Sequence, residues 1–207
     1  MGRAHPPPVR GAPSTGTTTP ETFARAVAQL RAADPRREIE LTELSAPRRL
    51  APYAYALGAT VTPRPAADEV ATGRLVLLHD PAAPEPWDGD LRLVTYVSAE
   101  LEPDLATDPL LADVGWSWLT DALAAHAAGY TALGGTVTQT TSTRFGDLSG
   151  SAPAADIELR ASWTPTGGAA EAPADLGRHA LAWFGLLAAA GGLPPPGVTA
   201  LPARHPR

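Results

Sequence analysis

Between Thr72 and Glu102 two apolar runs, Arg74 to His79 (RLVLLH) and Leu91 to Val97 (LRLVTYV), flank the Pro-rich, acidic segment Asp80 to Asp90 (DPAAPEPWDGD). Both runs are short, rich in leucine, β-branched and aromatic residues, and bounded by turn formers, which favours strands over helices. Proline donates no ladder hydrogen bond, so the strands stop at the connection and pair as a long hairpin. Their nearly continuous apolar character predicts central strands covered on at least one face. Ala155 to Trp163 (ADIELRASW) alternates instead: Ile157, Leu159, Ala161 and Trp163 oppose Asp156, Glu158, Arg160 and Ser162, the pattern of an antiparallel strand with one wet face. Gly135 to Arg144 predicts a threonine-rich strand, and Glu38 to Leu44 a half-buried edge strand. Leu50 to Thr62 predicts a further extended run with a bulge or bend at Gly58.

Three segments switch to helical spacing. Thr19-Pro20-Glu21 offers a capping hydroxyl, a proline in the first turn and an acid near the positive helix end. Phe23, Ala26, Val27 and Leu30 follow, as far as Asp34-Pro35. A second helix is predicted from about Val114 to Ala128, with Trp116, Leu119, Ala122 and Leu123 as its apolar stripe, extended by Ala127 and widened by Trp118; Gly129 stops it. A third runs from Ala174 to Ala190 on Leu176, Ala180, Trp183, Phe184 and Leu187, capped by Gly191-Gly192. The order helix, strands, helix, two strands, helix, with short links, predicts an α+β domain. It would be an antiparallel sheet of five to six strands with three helices packed on one face. Residues 1–19 and 194–207 are Pro-rich and predicted to be tails, the first disordered, leaving one domain over 20–193.

Composition narrows the chemistry. All 16 basic residues among the 207 are arginine, and cysteine is absent. That excludes disulfides, thiol nucleophiles, Cys-ligated zinc, a Walker-A lysine, a kinase lysine and Schiff-base catalysis. Asparagine is missing too, and isoleucine occurs only at Ile39 and Ile157, as codon bias in a GC-rich genome would produce. A net charge of -6 argues against bulk nucleic-acid binding. No run of 18 apolar residues predicts a membrane span, and the N-terminus lacks the apolar core of a secretory signal, so a cytoplasmic protein is expected.

Candidate sites are few. His79-Asp80 at a strand end suggests a base and its orienter, with Asp88 and Arg92 nearby, but neighbours on a strand point to opposite faces, and Asp-Pro is ordinary turn chemistry. No G-x-S-x-G, no H-x-x-x-H pair and no phosphate loop occurs; the glycine pairs Gly134-Gly135 and Gly167-Gly168 precede a strand and lie in a loop. Asp104, Asp108 and Asp113 lack calcium-loop spacing, so neither metal nor cofactor is expected. Arg74, Arg92, Arg144 and Arg160 all fall in predicted strands; lined up, they would form a guanidinium row for carboxylate or phosphate, with Tyr96 sharing parity with Arg92. The competing reading pairs them with Asp156, Glu158 and Glu100 on a solvated face. Trp116 fits the core stripe, and Trp118 is the better partner anchor.

The stretches RRLAPYAYAL (48–57), GRLVLLHDP (73–81), WDGDLRLVTYV (87–97), DPLLADVGWSWLTDAL (108–123), GTVTQTTSTRFG (135–146) and ELRASWTP (158–165) together resemble the DUF3000 family, a set of actinobacterial proteins. The resemblance implies a cytoplasmic bacterial protein and carries over no catalytic residue, metal or cofactor. The element order is also similar to that of type III secretion chaperones and YbjN-like proteins, an analogy that does not fix function. The leading expectation is a non-enzymatic protein-interaction or chaperone-like module, dimeric, with no catalytic residue. An anionic-ligand or nucleic-acid binder using the arginines comes next, and an enzyme around His79, Asp80, Asp88 and Arg92 last.

Overall fold

The computed structural model describes residues 19–64, 67–102, 105, 108–149, 154–167, 173–195 and 198. The predicted hairpin is its centre: β3 (Ala71–His79) and β4 (Leu91–Leu101) pair antiparallel in unbroken register, from Ala71 opposite Ala99 to His79 opposite Leu91. β2 (Tyr53–Val61) flanks β3, and β1 (Ile39–Leu44) closes that side. On the other side β6 (Ala154–Pro165) returns between β4 and β5 (Tyr130–Ser142), so the six-stranded antiparallel sheet reads β1-β2-β3-β4-β6-β5.

Helices α1 (Glu21–Ala32), α2 (Leu111–Ala125) and α3 (Leu176–Ala190) lie on one face. α3 packs between the other two and over β3 and β4, while α2 covers β5 and β6. The alternation of β4 and β6 decides which face they meet: Leu93, Val97, Leu159 and Trp163 bury against Leu119, Leu123, Trp183 and Leu187. Two glycines set how closely the helices approach. A Cβ at Gly73 of β3 would sit 2.6 Å from Leu187, and one at Gly115 of α2 would sit 2.9 Å from Ile157. Both positions let a helix and the sheet meet without a gap. No described helix is long and apolar enough to cross a membrane.

Several expectations need correction. Pro20 stands at the N-cap of α1 without a side-chain cap, so Thr19 does not supply one. Gly58 makes no bulge; it stays in register with Thr42 and Arg74, and its missing side chain leaves room for Leu44, whose Cδ1 would lie 3.0 Å from a Cβ there. The irregularity lies instead between Thr131 and Gly134, where Ala132 takes a positive φ of 49°. α2 starts at Leu111 and ends at Ala125, and Ala127 is exposed in a left-handed turn rather than on its apolar stripe. β5 begins five residues before its predicted start and stops at Ser142, leaving Arg144 outside the sheet. Residues 1–18 of the N-terminal tail, most of the C-terminal tail, Asp104, Gly168 and residues 150–153 lie outside the described residues.

Candidate functional site

On the sheet face without helices, cross-strand registry does the assembling. Arg74 of β3 lies opposite Tyr96 of β4, which lies opposite Arg160 of β6, which lies opposite Thr136 of β5. Two strand spacings separate the guanidinium-bearing strands, roughly 10 Å. The next row along the strands is Val76, Val94, Ser162 and Gly134. The small residues of this row and the glycine pair of β5 leave a shallow depression of about 400 Å³ between Arg74 and Arg160, floored by Val76 and Val94.

The two rims differ electrostatically. Arg160 donates to Glu158 Oε2 at 2.7 Å and lies over the Tyr96 ring, 5.1 Å from its centroid; the Tyr96 hydroxyl donates to Glu158 Oε1 at 2.9 Å. Glu158 thus ties the ring and the guanidinium together. The ion pair is exposed, so it orders the rim more than it stabilises the fold. Arg74 is exposed and has no ion pair among the described residues.

Towards one end, the connection 80–90 folds over the same face. Trp87 and Val94 pack on Ala56, Val76 and Leu78. Thr164 donates through its hydroxyl to the Trp87 carbonyl, and Arg92 donates to Ser162 Oγ at 2.7 Å and to Thr164 Oγ1 at 3.2 Å. The β4–β6 register puts Arg92 on the same face as Arg160, but Arg92 serves to hold the connection down. Partial burial lowers its pKa, and the guanidinium remains charged. Towards the other end the face turns acidic with Glu100 and Asp156 opposite one another. A graded surface results: apolar under Trp87, then tyrosine and arginine, then carboxylate.

The remaining predicted residues are elsewhere. Arg144 lies past the end of β5, eight residues from Thr136, roughly 26 Å along an extended chain. Trp118 is half-buried against the core under α2, on the opposite side of the sheet. His79 is buried on the helix side between Phe23 and Tyr53, its Nδ1–H donating to the Asp90 carbonyl at 3.0 Å. Asp80 accepts from the Ala82 amide within its own turn, and Asp88 accepts from the Thr131 hydroxyl at 2.7 Å. His79, Asp80, Asp88 and Arg92 are therefore not brought together. No carboxylate or histidine lines the depression, and no three metal-ligating side chains converge among the described residues.

Sequence reasoning named Glu158 as a partner for the arginines, as its bond to Arg160 shows, but missed its bond to Tyr96, and missed Val76, Val94 and Gly134-Gly135 as the floor and wall. The signal for Glu158 was present: its parity matches Arg160, and pairing β4 with β6 sets it beside Tyr96. A family model described as "Protein of unknown function (DUF3000)" matches residues 19–199. No curated protein and no solved structure gives a significant match.

Proposed function

The chain belongs to the DUF3000 family, and from the geometry of its bare sheet face we propose a non-enzymatic module that binds a protein partner there. The observation that carries this is the depression itself. Tyrosine and arginine, among the residues that most often anchor interfaces, stand over a valine floor, and the one acid beside them, Glu158, is engaged in holding them in place. Tyr96 is held in place by Glu158, and Arg160 lies over its ring, so ordering them on binding loses little entropy. A chaperone-like role, holding a client on this face, is one form of the reading. A cytoplasmic actinobacterial setting belongs to it as well, resting on the resemblance and on the lysine-free composition.

A photo-crosslinking residue placed at Tyr96 in cells should capture a discrete protein, and Arg74→Glu should abolish the capture. The same probe at Asp121, exposed on α2, should not capture it. Equal capture from both positions, or none from Tyr96, rejects the reading.

The absence of an acidic partner at Arg74 among the described residues favours a second reading, a single small anion held against the Tyr96 ring. Extended nucleic acid is less favoured: Arg160 is matched by Glu158 and Arg92 by Ser162 and Thr164, which leaves Arg74 as the one unpaired guanidinium on the face among the described residues. With so few phosphate contacts, affinity would vary with salt at a logarithmic slope of only about -1.

A further inference from the structure

The two edges of the sheet are treated differently. β1 is six residues long and carries Glu40 and Glu43, the latter paired with Arg31, so charge guards it against stray pairing. β5 is 13 residues long and, as the last strand, pairs only with β6 among the described residues. It contains no proline and no charged residue, and from Thr138 to Ser142 every residue is exposed. A long, uncharged outer strand, regular from Gly134 to Ser142, is the feature that proteins ordinarily avoid unless something pairs with it.

We infer that β5 pairs antiparallel with β5 of a second copy, giving a two-fold dimer with one continuous twelve-stranded sheet. The strand is complementary to itself. The chain carries -6 overall and repels its copies in general, yet no like charges meet along this edge. Beyond one end of β5 lies Arg144, with no ion pair among the described residues; at the other end Asp88 is held on Thr131 by the 2.7 Å hydrogen bond. A two-fold axis near Thr138, the middle of the regular part of the strand, sets Arg144 of each copy beside the Thr131–Asp88 end of the other. Two ion pairs form by symmetry. The exposed aromatics follow the same arrangement: Phe145 (79% exposed) and Tyr130 (40%) sit at opposite ends of the strand, and only antiparallel pairing brings the two ends together. Thr138 then faces its counterpart and Thr136 faces Thr140 of the other copy, as cross-strand threonine pairs do. The interface is isologous and closes, so it yields a dimer and not a fibre.

The test is sedimentation of the full chain from about 1 to about 100 µM, with circular dichroism confirming the fold of each variant. Wild type should dimerise. Thr138→Lys with Thr140→Lys, which clusters four cations about the axis, should raise the dissociation constant roughly tenfold or more. Arg144→Asp should weaken the dimer severalfold, and adding Asp88→Arg should restore it. A wild-type monomer throughout the range overturns the inference, as does a dimer indifferent to the lysine pair. So does a double reversal that fails to rescue Arg144→Asp. The bare-face reading survives any of these results, since it concerns another surface.

Discussion

Protonating His179 should destabilise this protein over a pH window that its geometry sets in advance. The side chain lies on α3 with no exposed surface, and the Trp163 indole Nε1–H donates to its Nδ1 at 3.1 Å. An indole only donates, so Nδ1 accepts and the neutral ring carries its proton on Nε2. Charging the ring therefore places a cation in the core and also removes the acceptor that Trp163 uses. Burial pushes the pKa down to about 4 from 6.5, against weaker opposite influences from Asp175 and the Gly129 backbone. The unfolded chain takes up the proton first, near pH 6.5. Stability is thus complete above that value, falls as pH drops below it, and reaches its full loss below about pH 4. The shift corresponds to about 3 kcal/mol in all, and about 2.5 kcal/mol at pH 4.5.

Urea titrations followed by tryptophan fluorescence at pH 7.5, 6.0, 5.2 and 4.5 measure this directly. His179→Gln keeps an acceptor for Trp163 without a titrating group, so the wild-type-minus-variant difference should carry the whole slope. The carboxylate most perturbed, Glu38, is held at about 2 by its hydrogen bond to Arg36, so its contribution is lost only as pH falls from 4.5 towards 2 and stays clear of the window. A flat difference curve between pH 6.5 and 4.5, or the same slope in His179→Gln, refutes the reasoning.

Gly73→Val should lower stability by about 1–3 kcal/mol, read from the denaturant midpoint, because its Cβ would meet Leu187 at 2.6 Å and Trp183 at 3.2 Å. Arg92→Ala removes the charged hydrogen bonds to Ser162 and Thr164; a loss of about 1.5–3 kcal/mol is expected, with faster amide exchange in residues 82–89 and none in α2. Tyr96→Phe deletes only the hydroxyl bond to Glu158 at a half-exposed site, so stability should change by less than about 1 kcal/mol, which makes it the clean variant for partner-binding assays.

What could be read in advance follows from how local each determinant is. The face of β6 comes from strict alternation, so Arg160 was legible as a wet-face residue; β4 reads as nearly continuous apolar, and it is the β4–β6 register that sets Tyr96 opposite Arg160. Arg74 was ambiguous because β3 is nearly all apolar; its face is decided by pairing with Tyr96, a contact across 22 residues. The role of Arg92 depends on the connection 80–90 folding back over the sheet, which no periodicity encodes. His179 stands in an apolar helix stripe with no cue that Trp163 would reach it. Gly58 misled because a strand glycine signals either a bend or a close neighbour, and only the packing of Leu44 chooses the neighbour.

The bare face and the β5 edge are not independent in their consequences. The wall of the depression is built by Gly134, Gly135 and Thr136 of β5 itself, so pairing along that edge brings a second depression close to the first. From Tyr96 on β4 to its counterpart there are five strand spacings and an offset of four residues along the strands, roughly 27 Å in all, across a continuous sheet with all six helices on the far side. A partner that is itself two-fold, or that repeats its anchor at about that distance, would bind both depressions, and tethering would make the second contact far more favourable than the first. Variants at Thr138 and Thr140 should then reduce apparent affinity for such a partner while leaving single-site affinity at Tyr96 untouched. Variants at Arg74 should weaken binding in monomer and dimer alike.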